Sequence, residues 1–139
     1  MVRFFCLLLY VFYCYYISVR IFKNKWFHRF AKKEGISDSE LKEIVSQLEG
    51  EQYYADLGGS VYKMELARKG KGKHGSFRTI VIFKSEFRTF FIYGFPKSKM
   101  GNIGEKDLLI FKRKAKENLA FSDEEIDRLL KSQIFTEIL

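Results

Sequence analysis

The segment from Val61 to Arg78 has an unusual concentration of cationic side chains. It holds six lysines and arginines against one acid, Glu65, and three glycines separate the charges in its middle. The six cations are Lys63, Arg68, Lys69, Lys71, Lys73 and Arg78. Like charges this close repel one another, and glycine lets a backbone approach a ligand closely. The pattern predicts a surface that binds phosphate groups, and a polyphosphate backbone is the partner that fits it best.

The net charge of the chain is confined to one region. Ten lysines and arginines but only two acids lie between Lys63 and Lys99, and this span accounts for the whole net charge of +8. The cations and acids on its two flanks cancel. One basic patch on an otherwise balanced chain is the footprint expected of a nucleic-acid binder, and a solvated charged surface is the alternative interpretation.

Three predicted strands surround this basic patch. Residues 61–66 alternate apolar and charged side chains, and residues 77–83 and 88–95 are rich in β-branched and aromatic side chains. Short connections between consecutive strands make them antiparallel. Residues 67–76 then form the loop of a hairpin, which is longer than the usual two to five or so residues and is therefore a candidate functional loop.

The strands determine which side chains share a face, because residues two apart on a strand point the same way. Lys63 points away from the apolar residues of its strand, and Arg78 points away from those of the next. On the third strand we expect Tyr93 to share a face with Phe91 and Phe95.

Further cations follow the third strand at Lys97 and Lys99. We expect them to converge with Lys63, Arg78 and Tyr93 on one concave side of the sheet, roofed by the basic loop. A groove of cations and aromatic rings suits single-stranded nucleic acid with stacked bases. A core tyrosine with one exposed edge is the other interpretation of Tyr93.

The remaining pattern predicts an α+β fold, in which a small antiparallel sheet carries two N-terminal helices and further C-terminal helices. Ser37 with Glu40, and Ser122 with Glu125, form capping boxes that begin two of the helices. The predicted helices span residues 24–34, 37–50, 105–119 and 122–130, with edge strands at 19–22 and 134–138. In the first helix Trp26, Phe27, Phe30 and Ala31 form the apolar face.

The apolar segment 1–19 is predicted to lie outside the folded domain, which spans residues 20–139. Phe4–Val19 is sixteen uncharged residues, fewer than the roughly 20 that a membrane-spanning helix needs. We interpret it as translated sequence upstream of the true start, with a short membrane anchor as the alternative. Cys6 and Cys14 both lie in it, so we expect no disulfide framework, no zinc site and a reducing, cytoplasmic location.

The residues around the basic patch resemble the RelE/HigB group of toxins from type II toxin–antitoxin modules, within the RelE/ParE superfamily. The resemblance covers about residues 20–139 and rests on Asp56-Leu57-Gly58-Gly59, Val61-Tyr62-Lys63, Ala67-Arg68-Lys69-Gly70-Lys71-Gly72-Lys73, Phe77-Arg78-Thr79, Phe90-Phe91-Ile92-Tyr93-Gly94-Phe95, Lys97 and Asn102-Ile103. It implies a metal-independent, ribosome-dependent messenger-RNA endonuclease without a cofactor, inhibited by a cognate antitoxin. Better-known members have a shorter loop and a second basic residue where this chain has Glu65.

Within this resemblance, Lys63, Arg78, Lys97 and Tyr93 are the candidate catalytic residues. Neighbouring cations favour the neutral form of a lysine, which makes Lys63 the candidate base. Arg78 is the candidate phosphate clamp, because its planar fork matches two phosphate oxygens. RNA or phosphate binding is expected of Arg68, Lys69, Lys71, Lys73, His74 and Lys99, with His74 as an alternative acid.

Three other functions remain open from the sequence. A ParE-type inhibitor of DNA gyrase would share the fold without needing a phosphate-binding groove. A non-catalytic RNA-binding module would use the same groove without turnover. A membrane-surface protein would use residues 4–19 as its anchor and the basic patch against anionic lipid.

Overall fold

The computed structural model describes residues 19–67, 75–98 and 103–139, and it contains six strands and four helices in those ranges. In chain order they are β1 (Arg20–Asn24), α1 (Lys25–Glu34), α2 (Asp38–Glu49), β2 (Ala55–Gly58), β3 (Val61–Leu66), β4 (Phe77–Lys84), β5 (Arg88–Pro96), α3 (Glu105–Ala120), α4 (Asp123–Lys131) and β6 (Phe135–Ile138). The strands form one sheet in the order β2-β3-β4-β5-β1-β6. The predicted α+β class is confirmed.

Helices α1 and α2 begin and end where their capping residues require. The Asn24 side chain accepts a hydrogen bond of 2.7 Å from the backbone N–H of Phe27, and Gly35 ends α1 at a φ of 68°. The predicted capping box of Ser37 and Glu40 begins α2, and Gly50 ends it. A second capping box begins α4 in the same way. These local signals explain why the helix boundaries follow so closely from the sequence.

The sheet has a hydrophobic cluster on each face. One cluster combines residues of α1 and α2, such as Phe27 and Leu41, with Met64 and Val81 of the strands. The other combines Ala115 of α3 and Ile126 of α4 with strand residues such as Ile80 and Phe90. Since both faces of the central strands are covered, those strands are apolar along almost their whole length.

A β-bulge in β5 changes which of its side chains share a face. Ile80 pairs with Tyr93 and Val81 pairs with Phe91, so Ile92 is the additional residue. Phe91 therefore lies in the cluster beneath α1 and α2, whereas Phe95 lies in the opposite cluster with Tyr93 packed against it. The expectation that Tyr93 shares a face with Phe91 is wrong, because it assumed an unbroken two-residue alternation.

The first strand is internal, where an edge strand was predicted. Strand β1 runs parallel to β5 and antiparallel to β6, so it lies between them. Strand β6 is at the edge, as predicted, and the opposite edge is β2, which the sequence suggested only as a turn. Within the described ranges, no helix is both long enough and apolar enough to cross a membrane. Residues 1–18 lie outside those ranges.

Candidate nucleic-acid interface

The register of three strands brings the predicted residues onto one face of the sheet. Lys63 of β3 pairs with Ile80, which pairs with Tyr93 on the other side. In the next row Glu65 pairs with Arg78, which pairs with Phe95. Paired residues share a face, with their Cβ atoms roughly 5 Å apart. Lys63, Arg78 and Tyr93 therefore lie together, as the alternation predicted.

Arg78 is held against an aromatic ring. Its guanidinium carbon lies 3.8 Å from the centre of the Tyr54 ring, close enough for a strong cation–π contact. The Tyr54 backbone N–H donates to the carbonyl of Lys63 at 3.1 Å, which fixes this tyrosine beside β3. Arg78 Nε is buried and has no hydrogen-bond partner among the described residues. Stacking therefore orients the guanidinium, and its Nε–H has no partner among the described residues.

The sequence analysis did not identify Tyr54. The only signal for it was the pair of tyrosines at 53 and 54, which follows α2 and precedes β2. Both rings are largely exposed, at 42% and 53%. Tyr53 packs against Tyr62 in a tilted arrangement at a centroid distance of 5.1 Å, on the side of the sheet away from Arg78. Two adjacent tyrosines thus have separate partners.

Lys63 is one of the few buried charged residues among those described, with 8% of its surface exposed. It pairs with Ala55 of β2 on one side and with Ile80 of β4 on the other, so it lies in the interior of the sheet. Its amine is 5.7 Å from the centre of the Tyr54 ring, so Lys63 and Arg78 approach the same ring. Lys63 and Arg78 thus form a small cationic cluster around Tyr54.

Lys97 is committed to an ion pair. Its amine lies 3.3 Å from the Glu65 carboxylate, and the pair spans β4 because Glu65 is on β3 and Lys97 follows β5. The Lys97 backbone N–H also donates to the carbonyl of Ser76 at 3.0 Å. Both side chains are substantially exposed, at 49% and 35%, so the pair is weak and a phosphate could displace the carboxylate.

Tyr93 is surrounded by other rings. Trp26 stacks on it at 4.5 Å with an interplanar angle of 26°, and Phe95 and Phe111 lie at 6.1 and 5.9 Å. Tyr93 is only partly exposed, whereas Trp26 is 45% exposed. Trp26 stacks on Phe30 at 5.3 Å, in keeping with its predicted place on the apolar face of α1, and its ring also reaches solvent.

The remaining predicted RNA-binding residues lie outside the described residues. They are Arg68, Lys69, Lys71, Lys73, His74 and Lys99. Leu66 and Phe77, on either side of the loop, pair with each other. This pair is next to the pair of Glu65 and Arg78. The ends of the loop are thus fixed next to the cationic cluster. Within residues 19–67, 75–98 and 103–139, no cluster of three or more His, Cys, Asp or Glu side chains could hold a metal ion.

These features define a small α+β protein whose mixed sheet presents a lysine, an arginine and a tyrosine together on one face. Residues 19–138 match the family described as the RelE toxin of the RelE/RelB toxin–antitoxin system. The match covers most of the chain, and the protein therefore belongs to the RelE toxin family. As a member, it is the toxin of a toxin–antitoxin system and has a cognate antitoxin as its partner. No curated protein matches the chain.

Proposed function

We propose that this toxin is an endoribonuclease that cuts messenger RNA on the translating ribosome, as members of the HigB group do. The observation that supports this most is the Arg78 guanidinium, which stacks on Tyr54 and whose Nε–H has no hydrogen-bond partner among the described residues. A stacked arginine with uncommitted donors can bind two phosphate oxygens at once. An inhibitor of a protein target does not require such a clamp.

The cationic cluster has the groups that metal-independent RNA cleavage needs. Lys63 is the general base that takes the proton from a ribose 2′-OH, whose oxygen attacks the adjacent phosphorus. Arg78 donates hydrogen bonds to the non-bridging oxygens and stabilises the charge that develops on them. Lys97 gives a proton to the departing 5′-oxygen, so that the products are a 2′,3′-cyclic phosphate and a free 5′-hydroxyl.

In this scheme the ion pair of Glu65 with Lys97 is present in the free protein and is broken when RNA binds. Glu65 holds Lys97 at 3.3 Å across β4, in the row that also contains Arg78. A phosphate bound by Arg78 brings negative charge beside Glu65, which favours release of Lys97 toward the RNA. The cations of residues 68–73 and Lys99 would bind the flanking phosphates, and the protein would act in the cytoplasm where translation occurs.

Cleavage during translation tests this function directly. The purified full chain is added to a cell-free translation reaction, and primer extension maps cuts on a defined messenger. We expect cuts that require translation, and Arg78→Ala should lower their rate by about 10²-fold or more, the usual cost of a lost charge-stabilising donor. Arg128→Ala is the matched control, since Arg128 is an exposed arginine of α4.

The other outcomes identify the other functions. Loss of protein synthesis without any cuts would refute the nuclease and indicate a protein target, and inhibition of DNA gyrase would then be assayed. RNA binding with neither cuts nor inhibition would indicate a non-catalytic module. Equal cutting by the intact protein and Arg78→Ala would contradict the role of Arg78 as the phosphate clamp. If Arg78→Ala loses cleavage, circular dichroism of both proteins shows whether the variant is still folded.

A further inference from the structure

The chain's single tryptophan lies beside an open cavity at the end of β5. Strand β1 pairs with β5 only as far as Lys23 and Phe91, so the end of β5 extends beyond it. Helix α1 passes along this part of β5, and Trp26 in its first turn packs on Tyr93. The cavity lies between α1 and this end of β5, and its volume is about 570 Å³.

The walls of this cavity are aromatic and its rim is cationic. The walls are formed by Trp26, Phe30, Tyr93, Phe95 and Pro96. Gly94 is part of the floor, where the backbone of β5 approaches the Phe30 ring so closely that a Cβ would lie 2.4 Å from it. The rim carries two exposed cations, Arg29 and Lys33, and one acid, Glu34.

The cavity adjoins the candidate clamp. Phe95 lies in its wall and is the strand partner of Arg78, and Tyr93 lies in its wall and is in the same row as Lys63. Helix α1 packs on the opposite face of the sheet from Arg78, so RNA bound at Arg78 reaches the cavity around the edge of β5 that β1 leaves unpaired. The cations of α1 lie at that edge.

We propose that this cavity is a nucleotide subsite, which takes one unstacked base of single-stranded RNA beside Trp26 and the adjoining phosphates on Arg29 and Lys33. Aromatic rings bind bases of any sequence through their faces, and neighbouring cations bind the backbone between them. The inference rests on the proposed RNA substrate and extends its binding surface from the sheet to α1. It does not depend on cleavage.

Tryptophan fluorescence tests the subsite without cleavage or ribosomes. The probe is a 2′-O-methyl octanucleotide of mixed sequence, which lacks the attacking hydroxyl and cannot be cut by the proposed mechanism. Because Trp26 is the only tryptophan, the emission reports on the surroundings of this one ring. We expect saturable quenching of that emission, with the same midpoint as the binding curve from fluorescence anisotropy of a labelled octanucleotide.

Variants separate the subsite from general attraction to RNA. Trp26→Leu should weaken binding by about tenfold, within the range found when a base-stacking ring is removed, and Trp26→Phe should restore most of it. Alanine at both Arg29 and Lys33 should make binding less sensitive to salt. Phe87→Leu is the matched control, because Phe87 is an exposed ring close to the cations of Lys84 and Arg88 in a turn distant from the cavity.

Three results would overturn the subsite. Binding measured by anisotropy without quenching, or with equal affinity for the intact protein and Trp26→Leu, would show that RNA bypasses the cavity. Absence of any binding would overturn it as well. The nuclease function would still be tested separately, by the cleavage assay on translated messenger RNA. Thermal melts of both Trp26 variants confirm that they are folded, so a loss of affinity in Trp26→Leu alone reports on the ring.

Discussion

Replacing Tyr54 with leucine should weaken the phosphate clamp while leaving the fold intact. The ring is 53% exposed, so its removal uncovers little apolar surface. It does remove the cation–π contact with Arg78 at 3.8 Å. Such a contact is worth about 1 kcal/mol when it is partly exposed, which corresponds to about a fivefold loss of transition-state or phosphate binding. Tyr54→Phe keeps the ring face and should retain most of the activity.

The assay is a double-mutant cycle in the translation-dependent cleavage reaction. Rates are measured for Tyr54→Leu, for Arg78→Lys and for the two together, because lysine keeps the charge and loses the planar stack. If Tyr54 acts by orienting Arg78, the leucine substitution should have little further effect in the lysine background. Tyr53→Leu is the control, since that ring is similarly exposed and packs against Tyr62.

A fully additive pair of effects would refute this reasoning. It would mean that the Tyr54 ring contributes independently of the guanidinium, for example by contacting the RNA itself. An equal loss in Tyr53→Leu would also refute it, because the effect would then come from the tyrosine pair as a whole. Circular dichroism melts of each variant measure any contribution from lost stability.

Two further predictions concern stability. Burial, with a smaller contribution from Lys23, lowers the pKa of His28 below its ordinary 6.5, so the unfolded chain binds a proton first as the pH falls. The melting temperature should therefore fall between about pH 7.5 and 5.5, and His28→Gln should flatten that fall. Gly94→Ala should destabilise by about 1–3 kcal/mol in urea titrations, because its Cβ would overlap the Phe30 ring, whereas Gly50→Ala, with contacts of 3.6 Å, should have a smaller effect.

The contrary outcomes are specific. An equally steep pH dependence in the intact protein and His28→Gln would exclude this histidine as the group responsible. Equal destabilisation at the two glycines would show that the close approach to the ring has no energetic consequence, and that only the backbone freedom of glycine matters there.

Features set by neighbouring residues were predictable from the sequence. The two capping boxes, at Ser37 and Ser122, define helix starts through hydrogen bonds within four residues, and both are present. Alternation in residues 61–66 correctly placed Lys63 and Met64 on opposite faces of the sheet, because successive side chains of a pleated strand point to opposite faces. The convergence of Lys63 with Arg78 followed from the antiparallel pairing of β3 with β4.

Features set by distant parts of the chain were not predictable in the same way. Nothing local in residues 19–24 shows that β1 is enclosed between β5 and β6, since partner choice depends on the whole sheet. The extra residue at Ile92 leaves no mark on composition, although it moves Phe91 to the other face. Tyr54 gained its role only from the position of β2 beside β3. Roles in the basic loop stay predictions.

The internal position of β1 has a consequence for the order in which the protein can assemble during its own synthesis. Of the strands that the structure describes, β1 emerges from the ribosome first, yet its neighbours β5 and β6 are made more than sixty and more than a hundred residues later. Until then both of its edges are unpaired and can join other strands. Pairings this distant in sequence also form slowly. The sheet can therefore be completed only after translation has passed residue 138. Until then β1 of the nascent toxin is unpaired and can pair with strands of other molecules.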